Sequence, residues 1–264
     1  MSHILPILDG CTDTSDCARF EDGSEPRFID WETRPGLFNA PMKAACIYIG
    51  HRSMHWGREI ALYKDQTMHI APGYTNLLQS IERGPDTVLF LSINGCELLT
   101  SMPDDDEAFD FHLPFRPDLP IIPGRPIIPF EVVWQQLWGM LGNMANILLS
   151  TRLTLGGTRI VNVIHPPVIS DAQAKVDTRI MEKNYPGAEI SPLSVRLKYY
   201  LMYVKMMDMI CSQAQIANMM PPPAAIGPDG ALLDEYAADV VHGNKLYGAL
   251  VAKQMSDLIA AGGR

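Results

Sequence analysis

Short apolar runs at 44–50, 87–93 and 159–164 constrain the fold of this chain more than any other feature. Each is dominated by Val, Ile, Leu or Ala and is bounded by Gly, Pro, Asn or Asp, the pattern of a strand buried on both faces. Between and after them the periodicity changes to that of helices. Residues 129–150 place Val132, Val133, Leu137, Met140, Leu141, Met144 and Leu148 on one predicted helical face. Residues 192–219 read as a long helix rich in methionine (Met202, Met206, Met207, Met209). Residues 243–261 read as a closing helix with Tyr247, Leu250, Val251, Met255 and Leu258 inward. A further strand is expected at 66–70, before the Gly73 turn, and a weak one at 224–226. Buried strands alternating with helices predict an α/β protein, a three-layer α/β/α sandwich around a mostly parallel, flavodoxin-like sheet.

The chain divides into an N-terminal surface arm at 1–43, turn-rich and polar, and one α/β domain at 44–264. The domain carries an insertion at 101–129, where Asp104, Asp105, Asp106, Glu107 and Asp110 precede Pro114, Pro117, Pro120, Pro123, Pro126 and Pro129. Repeated prolines remove backbone donors, so this stretch is expected to be extended and irregular, as a lid or one wall of a cleft. Its charge disfavours a strongly anionic substrate.

A net charge of −9, with basic residues scattered rather than striped, excludes a nucleic-acid surface. No run approaches the ~20 apolar residues of a membrane span, and the first residues lack a secretory pattern, so a cytoplasmic protein is expected. The five cysteines are odd in number and lack zinc-site spacing, and no Gly-rich phosphate loop occurs. No metal and no cofactor are therefore expected. The methionine stripe is the signature of core filling or of a homo-oligomer interface.

Chemistry-bearing residues fall at the ends of the strands. Ser53 lies just past the 44–50 run, Gly73 in the turn after 66–70, and Asn94 at the carboxyl end of 87–93, the edge where open parallel sheets bind ligands. Near the C-terminus, Asp239 precedes His242 by three residues, a spacing that lets a carboxylate orient an imidazole acting as general base.

This order of motifs resembles the SGNH, or GDSL-type, hydrolase superfamily, over roughly 44–98 and 229–256. The resemblance implies an esterase or acyl hydrolase with Ser53 as nucleophile, His242 as base and Asp239 as its orienting carboxylate. It implies an oxyanion hole from the backbone N–H groups of Ser53 and Gly73 and the Asn94 side chain, and a small-molecule ester as substrate. It also places His165, after the 159–164 run, at the border of the site; a loop histidine held by a backbone bond is the plainer reading. The first motif departs from the family's Gly-Asp-Ser or Gly-Asn-Ser and reads Gly50-His51-Arg52-Ser53. A gapped alignment places Ser53 at the nucleophile position, with Arg52 as a substrate-contacting flank. An ungapped one places Arg52 there and implies an inactive relative that binds a small anionic or carbohydrate ligand.

Overall fold

The computed structural model describes residues 27–30, 46–50, 61–70, 75–76, 78–79, 83, 87–92, 101, 103–105, 107–174, 182 and 185–262. Its centre is a parallel sheet of β1 (Arg27–Asp30), β2 (Cys46–Gly50), β5 (Val88–Ser92), β7 (Arg159–Val163) and β9 (Ala217–Met219), hydrogen-bonded in that order. β1 comes from the segment that the sequence assigns to the N-terminal arm, and it pairs in register with β2 along Arg27↔Ile47 to Asp30↔Gly50.

Period-two alternation splits the sheet's side chains between two cores. Leu89, Leu91, Ile160 and Ile164 pack with α1 (Phe130–Leu155) and α2 (Leu193–Gln213). Val88, Phe90, Val161 and Val163 pack on the opposite face with Tyr247, Val251 and Met255 of α3 (Lys245–Gly262). The result is the expected three-layer α/β/α sandwich. Both α1 and α2 lie on one face because each joins a strand to its neighbour in the same direction, and right-handed crossovers in one direction share a face.

Two strand assignments from sequence are corrected. Thr67–Ile70 (β4) is not in the main sheet; it pairs antiparallel with β3 (Ala61–Lys64) in a separate hairpin. Asp65 and Gln66 both have positive φ, 51° and 60°, the conformation of a two-residue turn whose twist suits a hairpin. Likewise the long Met-rich helix stops at Gln213 rather than 219, because Gln215 turns left-handed at φ 53° and releases Ala217–Met219 as the fifth strand. The expected strand at 224–226 is instead a 3₁₀ turn, Pro223–Ala225. Val132, assigned inward on α1, is 54% exposed.

Arg152 fastens the far ends of α1 and α2 together. Its guanidinium donates to the carbonyls of Ala214 (3.2 Å), Gly156 (2.5 Å), Thr158 (2.8 Å) and Gln215 (2.8 Å). These oxygens lie just past the carbonyl-rich ends of the two helices, where a cation is favoured.

Apart from the short strand β6 (Pro103–Asp104), which pairs antiparallel with β8 (Glu189–Ile190), the described part of the proline-rich insertion is irregular, and it is tied to α2 by an ion pair that the sequence conceals. Asp110 and Lys198 are both fully buried and meet at 2.7 Å. One Asp110 oxygen also accepts the Phe111 N–H at 2.7 Å, and the other accepts that of Ile122 at 2.9 Å. Lys198 donates in addition to the Pro120 carbonyl at 2.7 Å and lies 5.8 Å from the Phe111 ring centroid. Both buried charges are thus answered by hydrogen bonds as well as by each other, as a buried pair requires. At the other end, Asp104 pairs with Arg125 at 2.5 Å. Two of the five acids are therefore neutralised within the fold.

Candidate active site

Asp239 and His242 occupy one closed loop between a 3₁₀ turn (Asp234–Tyr236) and α3. The chain doubles back there: the Ala238 N–H donates to the His242 carbonyl at 2.7 Å, and the Asn244 N–H donates to that of Tyr236 at 2.7 Å. Ala237 and Gly243 form an antiparallel bridge between these two bonds. Inside the loop the Asp239 carboxylate has two tasks. Oδ1 accepts the backbone N–H groups of Val241 (2.9 Å) and His242 (3.0 Å), while Oδ2 accepts the Nδ1 proton of the His242 ring. A carboxylate is acceptor-only, so this contact selects the Nδ1–H tautomer and leaves the Nε2 lone pair outward. Nε2 has no hydrogen-bond partner among the described residues, and the ring is half-buried.

The loop is anchored on both sides. Val240 is buried among the residues that pack under α3. Asn244 caps α3, accepting the N–H groups of Leu246 (2.9 Å) and Tyr247 (3.2 Å) on its side-chain oxygen and donating to the Glu235 carbonyl at 2.7 Å. Gly243 has a steric reason: a Cβ there would come within 2.5 Å of the Tyr247 ring, which α3 holds in the core. The Gly-Asn after His242 therefore positions the histidine rather than merely following it.

Topology places this loop at the carboxyl edge of the sheet. Arg159, at the start of β7, donates to the Leu258 carbonyl near the end of α3 at 3.3 Å, so α3 runs antiparallel to the strands. At ~1.5 Å per residue the helix rises ~20 Å between that point and Lys245, more than the length of β7. Its first turn, and His242 before it, thus stand beyond the ends of the strands. The described ends of β2 and β5, Gly50 and Ser92, are register partners at the same edge. Ser53, Arg52, Gly73 and Asn94 lie outside the described residues.

His165 follows β7 and is buried. Its ring stacks on Tyr203 with centroids 4.2 Å apart, its Nδ1 lies 3.0 Å from the Pro166 carbonyl, and its own carbonyl accepts the Tyr200 hydroxyl at 3.2 Å. Since a carbonyl only accepts, Nδ1 carries the proton. Nε2 is buried without a hydrogen-bond partner among the described residues. Burial pushes this imidazole down from its ordinary value to about 4, against a smaller upward pull from the Pro166 bond. The unfolded chain takes up a proton below about 6.5 that the folded protein refuses until about 4. This contribution to stability is complete above that window and is lost as pH falls through it, at roughly 1.4 kcal/mol per pH unit. His165→Asn, which keeps an N–H for Pro166, is expected to flatten the acid side of a denaturant-midpoint profile between these two values. An unchanged slope would mean that other groups carry the dependence.

Among the described residues no group of His, Cys, Asp and Glu is arranged to hold a metal ion, and no helix is long and apolar enough to cross a membrane. No protein-family model matches the chain, and no curated protein matches it. Solved structures that are similar to it include the following two. One, from Streptococcus pneumonia and provisionally described as a platelet activating factor, is 16% identical at a TM-score of 0.41, covering 89% of this chain and 85% of that one. The other, Est24, a carbohydrate acetylesterase from Sinorhizobium meliloti, is 10% identical at a TM-score of 0.41, covering 97% and 94%.

Proposed function

We propose that the protein is a serine hydrolase of small ester or acyl substrates, with Ser53, His242 and Asp239 as its catalytic triad. The observation that carries this reading is the double engagement of Asp239, which braces its own loop with one oxygen and sets the His242 tautomer with the other. A capping aspartate alone does not need the ring, and a surface ion pair does not need the loop. Together they make an imidazole with a proton-accepting nitrogen presented at the ligand-binding edge of a parallel sheet.

Ser53 follows Gly50 by three residues and Asn94 follows Ser92 by two, and Gly50 and Ser92 are register partners. In the proposed reaction Ser53 Oγ attacks the ester carbonyl carbon as its proton passes to His242 Nε2. The Ser53 and Gly73 N–H groups and the Asn94 amide meet the charge on the carbonyl oxygen. The imidazolium then gives its proton to the leaving alkoxide, and water, deprotonated by the same nitrogen, releases the acyl group. His165 serves as a packed support under the β7 end, held by its own chain rather than by substrate.

Short-chain aryl esters test the reading. Wild-type protein is expected to hydrolyse them and Ser53→Ala to lose that activity with an unchanged circular dichroism spectrum. Full activity in Ser53→Ala would remove Ser53 from the mechanism, and inactivity of the wild type would favour the ligand-binding alternative in which Arg52 faces the cleft.

A further inference from the structure

Arg196 is fully buried at the close of the first turn of α2, the end at which a helix dipole disfavours a cation. Its guanidinium holds the chain that leaves β7. Nη1 donates to the Ile169 carbonyl at 2.7 Å and Nη2 to Asp171 Oδ1 at 2.6 Å, while Nε donates to the Ser191 carbonyl at 2.7 Å. Asp171 Oδ1 also accepts the Leu193 N–H at 2.7 Å. Residues 169–171 are thereby fixed to the start of α2. Ser170, between the two clamped residues, donates its hydroxyl proton to Asp234 Oδ1 at 2.8 Å and accepts the Gln173 N–H at 3.0 Å. Beside this bond the Leu232 N–H donates to the Val168 carbonyl at 2.9 Å, and Ile169 and Leu232 form a parallel bridge. Among the described residues, no other side-chain hydrogen bond ties residues 227–244 to the chain before them.

We propose that Ser170 and Asp234 are positioning residues: their hydrogen bond is a strut that fixes the His242 loop to the end of β7 and so sets the reach of Nε2 toward the nucleophile. The proposal rests on the reading of His242 as the base. Asp234 opens the 3₁₀ turn from which that loop hangs. The Glu235, Tyr236 and Ala237 carbonyls all accept from Asn244, two residues past His242, so a shift of the turn is a shift of the imidazole. On the other side of the strut, β7 is hydrogen-bonded to β5 and β5 to β2, the strand that leads in sequence to Ser53. Base and nucleophile are therefore referred to the same sheet, and Arg196 keeps the strut's foot from moving with the loop. Proton transfer needs the two side chains within hydrogen-bond reach, so a displacement that costs the fold little costs the reaction much.

Ester hydrolysis and amide hydrogen exchange, both on the full chain, test the proposal. Ser170→Ala is expected to lower kcat by about 10–100-fold with KM and the thermal midpoint nearly unchanged. Ser170→Thr and Asp234→Asn keep the donor and the acceptor and are expected to retain wild-type kcat. Asp234→Ala, which leaves the Gln173 bond to Ser170 intact, is expected to lose as much as Ser170→Ala, and the double alanine variant no more than either. Additive losses in the double variant, or full activity in Ser170→Ala, overturn the proposal. Exchange reads the strut without any activity. In Ser170→Ala the Leu232 N–H is expected to exchange at least ~10-fold faster, while the Val241 and His242 N–H groups, held by Asp239, stay as protected as in the wild type. Unchanged exchange at Leu232 would remove the strut whatever the activity. The expected exchange pattern in a protein that hydrolyses no ester would leave the strut standing and remove the hydrolase reading.

Discussion

Asp239→Asn is expected to lower kcat for ester hydrolysis by about 10,000-fold while leaving the thermal midpoint nearly unchanged. The asparagine oxygen can go on accepting the Val241 and His242 N–H groups, so the loop keeps the two bonds that brace it. Its other atom becomes an NH₂, which donates. The group now facing His242 Nδ1 forces that nitrogen to accept, the ring proton moves to Nε2, and a nitrogen carrying a proton cannot take one from Ser53. Asp239→Ala, by contrast, removes the loop bonds as well and should cost stability by about 1–2 kcal/mol in addition to activity. Equal losses of activity and stability in the asparagine variant would mean that Asp239 is only a loop brace. The readouts are single-turnover kinetics and a melting curve on the same preparation.

Lys198→Met is expected to destabilise the fold by about 3–5 kcal/mol, the cost of stranding a buried carboxylate. Asp110 would keep the Phe111 and Ile122 N–H bonds but lose its counter-charge in a site without water access, and the proline-rich segment would lose its tie at Pro120. The double variant Lys198→Met with Asp110→Asn is expected to recover most of the loss, because a neutral amide there leaves no charge to strand. Denaturant unfolding of the three proteins reads this out. A single variant within about 1 kcal/mol of wild type would show that the pair contributes little.

Features that depend on local pattern were legible in the chain, and features that depend on distant partners were not. β5 and β7 announce themselves because strands buried on both faces need uninterrupted apolar runs. The Asp239/His242 pair is legible for the same reason at smaller scale: its partners are three residues apart, within one turn of chain. β4 misled because its short alternating run, Thr67 to Ile70, reads as a strand wherever it pairs, and only the left-handed conformation of Asp65 and Gln66, neither of them glycine, diverts it into a hairpin. β9 was hidden inside a helical pattern that Gln215 ends without the usual glycine. Asp110 sits in an acidic run that reads as a solvated face, and nothing local indicates that Lys198, 88 residues on, will meet it. The choice between Ser53 and Arg52 is of this second kind, since it depends on how one turn aims two adjacent side chains.

Covalent labelling with a serine-directed fluorophosphonate, followed by mass spectrometry of the modified peptide, tests the central claim most directly. The proposed triad predicts an adduct on Ser53 that is absent in Ser53→Ala and forms far more slowly in Asp239→Asn. Folded protein that takes up no label, or labels at another serine at an unchanged rate in Asp239→Asn, would contradict it.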